Sequence, residues 1–404
     1  MARLPDGDRP PADGALPAAA LHGLGETARP FGVYVHVPYC ATRCGYCDFN
    51  TYIPTEASQD GYGAAVHAEL ALARRVLGDG TPPAQTVFVG GGTPTLLAPD
   101  ELARILDAVR EHVGLAPGAE VTTEANPESV DPVALAALRE AGFTRISLGM
   151  QSAAPHVLET LDRHHTPGRA VAAARDARAA GFDHVSIDLI YGTPGERPED
   201  WRASLETALE AEPDHVSAYS LIVEPGTKLA RRVRRGELPP PDEDVLADRY
   251  EVAERVLGDA GLRWYELANW ARTDADRCRH NLGYWGGGDW WGAGPGAHSH
   301  VGGVRWWNVL HPSRWMARLA EGASPAAGRE EPDADAARLE HVMLAVRLKE
   351  GLALDTLNGT AHAAARRLAD DGLLEATALE RDDRAVLTLR GRLLADRVTL
   401  ALAE

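Results

Sequence analysis

The chain has 404 residues, enough for two or three domains or for one barrel with an appendage. Hydrophobic residues make up 45% and charged residues 25%; 59 acidic against 41 basic side chains leave a net charge of −18, which disfavours generic binding to nucleic acid or to an anionic membrane surface. No apolar run approaches the roughly 18 residues of a membrane span, so direct membrane insertion is excluded and a cytoplasmic location is expected.

Residues 1–30 are rich in Pro, Gly and Ala, and their apolar stretch is short and broken by prolines. They read as a disordered leader rather than a signal peptide. Beyond them, short runs rich in Val, Ile and Phe alternate with Ala/Leu/Arg segments of helical periodicity. The runs predict strands at 33–37, 86–89, 120–124, 145–149, 184–190 and 215–222. Helices are expected at 63–77, 99–112, 132–141, 168–180 and 198–209. Such alternation implies an α/β fold with a parallel sheet, and periodicity alone does not separate a barrel from an open doubly wound sheet.

The polar residues argue for the barrel. Each predicted strand delivers its unusual residues at its C-terminal end: Cys40 after the first, GGGTPT (90–95) after the second, EANP (124–127) after the third. GMQ (149–151), DLIYGTPG (188–195) and YSLIVEPGT (219–227) follow on the fourth, fifth and sixth. Functional residues gathered at strand C-termini are the habit of a (β/α) barrel. Six units rather than eight predict a partial, open (β/α)6 barrel over 31–240. A proline-rich ELPPPD stretch (237–242) marks its end. An extension dense in Trp, Gly and His covers 241–330. The remainder, 331–404, has Leu-rich helices and a hairpin-like pair at 374–379 and 385–389, the pattern of a small winged-helix-like α+β domain.

Four cysteines are present: Cys40, Cys44, Cys47 and Cys278. The first three form C-x3-C-x2-C on one loop after a strand. Three thiolates so spaced can hold three irons of a cubane and leave the fourth open to a chelating amine and carboxylate. A structural zinc site is the alternative, but it would want a fourth ligand at short spacing. Beside this loop, Thr93 adds a hydroxyl to a glycine-rich turn. Glu124 and Asp188 could accept hydrogen bonds from ribose hydroxyls or an amine, and Gln151 and Arg163 could meet a carboxylate.

The CxxxCxYC loop, GGGTPT, EANP, SLGMQS and SIDLIYGTPG together resemble the radical S-adenosylmethionine (SAM) superfamily. Within it they resemble the branch of oxygen-independent coproporphyrinogen III oxidase and its heme-chaperone relatives. The resemblance covers about 31–310 and is weaker towards the C-terminus. It implies a [4Fe-4S] cluster ligated by Cys40, Cys44 and Cys47. The open iron would hold the methionine part of SAM, whose reduction yields a 5′-deoxyadenosyl radical. By motif position, Tyr34, Tyr46, Gly91, Gly92, Thr93, Glu124, Gln151, Arg163 and Asp188 match SAM-binding positions of the oxidase, which binds two such molecules. One or two SAM molecules remain open for this chain.

Two departures separate the chain from the oxidase pattern. Phe49 stands where the oxidase has a further cysteine, and no long substrate-handling segment precedes the cluster loop. HNLGYW (280–285) matches the HNxxYW motif of the heme-chaperone branch, which implies heme contact through His280, Asn281, Tyr284 and Trp285. His280 is the expected ligand to heme iron, and Cys278 the soft alternative. The bland reading is that His280 and Asn281 cap a turn and that the aromatics belong to the core. His298 and His300, in a downstream glycine-rich run, receive no assigned role. The expected function is a heme chaperone that passes heme to an acceptor protein, a respiratory one by family resemblance. The alternatives are oxidative decarboxylation of coproporphyrinogen III propionates and a radical enzyme acting on an unknown substrate without heme.

Overall fold

The computed structural model describes residues 5–24, 29–53, 59–355, 357 and 359–403. All six expected strands form: β1 (Phe31–Val37), β2 (Ala84–Gly91), β3 (Leu115–Ala125), β4 (Arg145–Gln151), β5 (His184–Tyr191) and β6 (His215–Ser220). They pair in parallel in sequence order, and the expected helices lie between them. Strands β1, β4 and β5 are buried along nearly their whole length because helices cover the outer face. Local sequence sets the helix limits. Helix Pro132–Ala141 starts on Asp131, whose carboxylate accepts from Ala134 N–H at 2.8 Å, and stops at Gly142 in the left-handed region.

The barrel does not close, since β1 and β6 each take a different neighbour. The 241–330 segment supplies those neighbours, on both sides. On one side β7 (Arg263–Glu266) pairs antiparallel with β8 (Asn269–Ala271), which pairs antiparallel with β6. On the other, β9 (Asp289–Ala293) pairs in parallel with β1, followed by antiparallel β10 (His298–Val301), β11 (Val304–Asn308) and β12 (Ala326–Glu330). The result is one sheet of twelve strands. One apolar core runs from Ala20 to Ala326, and a second lies between Val342 and Leu402.

Two expectations are corrected here. The leader was expected to be disordered, yet its described part is docked along β12. Asp8 N–H donates to the Arg329 carbonyl at 2.8 Å, Arg329 N–H donates back at 3.0 Å, and Ala20 is buried in the main core. Pairing with an open strand edge, which composition does not register, outweighs the disordering bias of the prolines. In the C-terminal part, the expected strand at 374–379 is a helix, Ala376–Asp382, and only a single bridge joins Leu374 to Leu387. Ala, Leu, Glu and Arg favour the helix there. Two-residue strands Leu352–Ala353 and Arg384–Ala385 pair instead of the expected hairpin.

Candidate functional site

Alternate residues of β3 to β6 point into the open barrel and are polar: Thr122 and Glu124, Arg145 and Ser147, Ser186 and Asp188, His215 and Ser217. They line a cavity of about 1090 Å³ that reaches from the cysteine loop to the C-terminal helices. Cys40, Cys44, Cys47, Tyr46, Gly91, Gly92, Thr93, Glu124, Gln151, Arg163 and Asp188 all lie on its wall. Tyr34 does not. It sits on β1 with its hydroxyl 2.9 Å from His36 Nδ1, and its ring faces Phe88 and His280. Tyr34 is expected in the SAM site, and in this structure its hydroxyl is engaged by His36.

The three cysteines are free thiols on one loop. Thr93 Oγ1 approaches Cys40 Sγ at 3.9 Å, and Arg163 Nη1 approaches Cys44 Sγ at 3.8 Å. Burial pushes the Cys47 thiol up to about 11, with the Phe49 N–H opposing the shift. The loop is fixed by backbone contact with GGGTPT: Gly92 N–H donates to the Val37 carbonyl and Thr93 N–H to that of Tyr39. A Cβ on Gly92 would lie 2.5 Å from the Tyr39 oxygen, so only glycine allows this approach.

Across the cavity, Gly91 N–H donates to Glu124 at 2.9 Å. Burial raises the Glu124 carboxyl to about 7; Gly91 opposes the shift and Asp188 adds to it. Burial also raises Asp188, against the hydroxyls of Ser147, Ser217 and Ser186. Gln151 adopts a φ of 67°, and Arg163 Nη2 donates to the Gly149 carbonyl at 3.0 Å. A Cβ at Gly149 would strike both side chains. Three thiols with adjacent donors, facing two carboxyls and an Arg–Gln pair, fit a cluster with a bound amino-acid-bearing nucleoside. When bound, that pair would supply one-electron chemistry, with Cys40, Cys44 and Cys47 placed to hold the cluster and Glu124, Gln151, Arg163 and Asp188 on the cavity wall beside it.

The HNLGYW segment lies at the opposite end of the strands. Helix Arg279–Trp285 packs under the starts of β1 and β2. His280 is 4% exposed, with Nδ1 2.8 Å from Thr86 Oγ1 and Nε2 2.8 Å from Tyr284 Oη. Its ring stacks on Phe88 at 5.2 Å. Burial lowers its pKa to about 4, so the ring is neutral. His280 is the expected ligand to heme iron, and in this structure both of its ring nitrogens are engaged. The alternative ligand, Cys278, is buried with its thiol 3.7 Å from Glu120, and burial holds it protonated. Asn281 does line the cavity, and Trp285 opposes the burial-driven rise of the Glu266 carboxyl. His298 is exposed and stacks on Trp307, and His300 stacks on Trp290 with Nδ1 3.0 Å from the Gly288 carbonyl.

The sequence reading missed Glu120, which organises this end. One of its oxygens accepts from His280 N–H at 3.0 Å. The other accepts from Arg279 N–H at 3.1 Å and from Arg145 Nε at 3.2 Å. It also missed Gly32, whose lack of a side chain makes room for Thr86 and His280. The available signal was the period-two polar pattern of Glu120, Thr122 and Glu124 against Arg145, Ser147 and Gly149.

Residues 34–208 match the radical SAM superfamily model. The chain is 56% identical over 377 residues to the heme chaperone HemW of Mycobacterium tuberculosis, covering 93% of this chain and 95% of that protein. It belongs to the HemW branch of the radical SAM superfamily. HemW of Bacillus subtilis is 31% identical over 90% of this chain and 97% of its own length. Coproporphyrinogen III oxidase HemN of Escherichia coli superposes with a TM-score of 0.80 at 23% identity, covering 95% of this chain and 92% of that one, which establishes the shared fold. Membership of the superfamily implies a [4Fe-4S] cluster and SAM. No helix among the described residues is long and apolar enough to cross a membrane.

Proposed function

We propose that this protein is a heme chaperone that holds a [4Fe-4S] cluster on Cys40, Cys44 and Cys47, binds SAM in the barrel cavity and passes heme to an acceptor protein. The observation that carries this reading is the 56% identity to HemW along 93% of the chain. Phe49 supports it, since a further cysteine at that position belongs to the oxidase pattern.

In this reading heme rests at the cavity mouth rather than on His280. Phe49, Tyr219 and Ile222 line the same cavity and are 58%, 43% and 64% exposed. Exposed apolar side chains beside a polar cavity suit a flat apolar macrocycle with a polar edge. His164, exposed on the same wall, offers an imidazole to the iron. Ligation by His280 would require it to give up both Thr86 and Tyr284.

The test is anaerobic heme titration of cluster-loaded protein, read by absorption. Wild type binds stoichiometrically in this reading. Phe49→Ser with Ile222→Ser weakens binding at least tenfold, and His280→Ala leaves it within about twofold. Loss in His280→Ala alone would return the heme to the HNLGYW end. No binding by wild type would sink the chaperone reading, as would release of protoporphyrinogen from coproporphyrinogen III with SAM and reductant.

A further inference from the structure

We propose that His67, Glu111 and His112 form a binding site for a late first-row divalent cation, Zn²⁺ foremost. The site lies on the outer helical layer, apart from the cysteine loop. His67 is on helix Tyr62–Leu77, and Glu111 and His112 end the neighbouring helix Pro99–His112. His112 Nε2 is 3.2 Å from His67 Nε2, and Glu111 Oε2 is 3.2 Å from the same atom. His112 Nε2 is 3.9 Å from the other Glu111 oxygen.

Two of these three separations match a shared metal. Two ligand atoms on a tetrahedral Zn²⁺, each at roughly 2.0–2.1 Å, lie about 3.3 Å apart. Two imidazoles and one carboxylate are borderline ligands suited to Zn²⁺, Co²⁺ or Ni²⁺, whereas Mg²⁺ and Ca²⁺ select oxygen. Three protein ligands leave a fourth position for water. The imidazoles meet edge to face, 81° apart, with centroids 4.4 Å from one another. Ligation therefore needs a turn of the His67 ring, which is 48% exposed, while the His112 ring, 15% exposed, is the held partner. The carbonyl end of helix Pro99–His112 adds negative potential at the same place.

A metal here would pin together the two helices that follow β1 and β2, the strands leading into the cysteine loop and GGGTPT. Binding to the native state alone would raise thermal stability with metal concentration.

The test uses cluster-loaded protein, kept anaerobic, titrated with Zn²⁺ by calorimetry while cluster absorption is recorded. Wild type should take up one Zn²⁺ per chain without loss of cluster absorption. His67→Ala and His112→Ala should each bind at least tenfold more weakly, and alanine suits both helical positions. Co²⁺ in place of Zn²⁺ should give visible d–d bands without thiolate charge transfer. Equal uptake in the histidine variants, uptake accompanied by cluster bleaching, or no saturable uptake by wild type in the micromolar range would each overturn the site.

Discussion

His280 Nδ1 and Thr86 Oγ1 lie 2.8 Å apart, joining the HNLGYW helix to the second barrel strand. With Tyr284 on the other nitrogen, the imidazole serves as a buried crosslink. Thr86→Val keeps the shape and leaves one ring nitrogen unpaired. It should cost about 1–3 kcal/mol of stability in urea unfolding.

The same ring gives a pH signature. Its folded pKa of about 4 lies below the ordinary 6.5, so the native state resists protonation that the unfolded chain accepts. The stability contributed by neutral His280 is therefore present above 6.5 and lost as pH falls towards 4. Relative to His280→Phe, wild type should lose about 2 kcal/mol of its margin between pH 7.5 and pH 5.0. Urea midpoints of both proteins at the two pH values check this, and a constant margin would contradict it.

Glu120 holds two N–H groups of the helix, the Cys278 thiol and the buried Arg145. Glu120→Ala leaves an uncompensated guanidinium in the barrel and should cost about 3–5 kcal/mol. Glu120→Gln retains one acceptor and should lose less. Thermal melts of the pair give the ranking.

Gly92→Ala should disturb the cysteine loop selectively. The added methyl meets the carbonyl of Tyr39, the residue before Cys40. Iron and sulfide incorporation on reconstitution should fall severalfold while far-ultraviolet circular dichroism stays near wild type.

Glu69 accepts from Gly294 N–H, Asn308 Nδ2 and Trp315 Nε1 at 2.7–2.8 Å in the main core. Glu69→Gln turns an amide donor towards these donors. A loss of about 1–3 kcal/mol in urea unfolding is expected, and unchanged stability would show that the pocket relaxes.

The six parallel strands were legible because Val/Ile runs such as 33–37 and 184–190 carry their own signal. The cysteine loop was legible because its ligands are contiguous. The surroundings of His280 were not: Thr86 is 194 residues away along the chain, and the motif reads the same whether its histidine is free or crosslinked. Nor does the sequence tell which strand takes up the open side of β1, so β9 stayed hidden in the Trp/Gly-rich stretch. Residues 374–379 misled for a local reason, since a short run there satisfies alternation and helical periodicity equally.

The docking of Asp8 on Arg329 has a counterpart across the sheet, where Lys349 N–H donates to the Tyr265 carbonyl at 2.8 Å and Leu348 bridges to Glu266. Both outermost strands thus carry backbone partners from elsewhere in the same chain. An uncovered strand is a template for self-association. Losing the Asp8 pairing would uncover β12 and invite aggregation, so this edge is guarded by a segment more than 300 residues away along the chain.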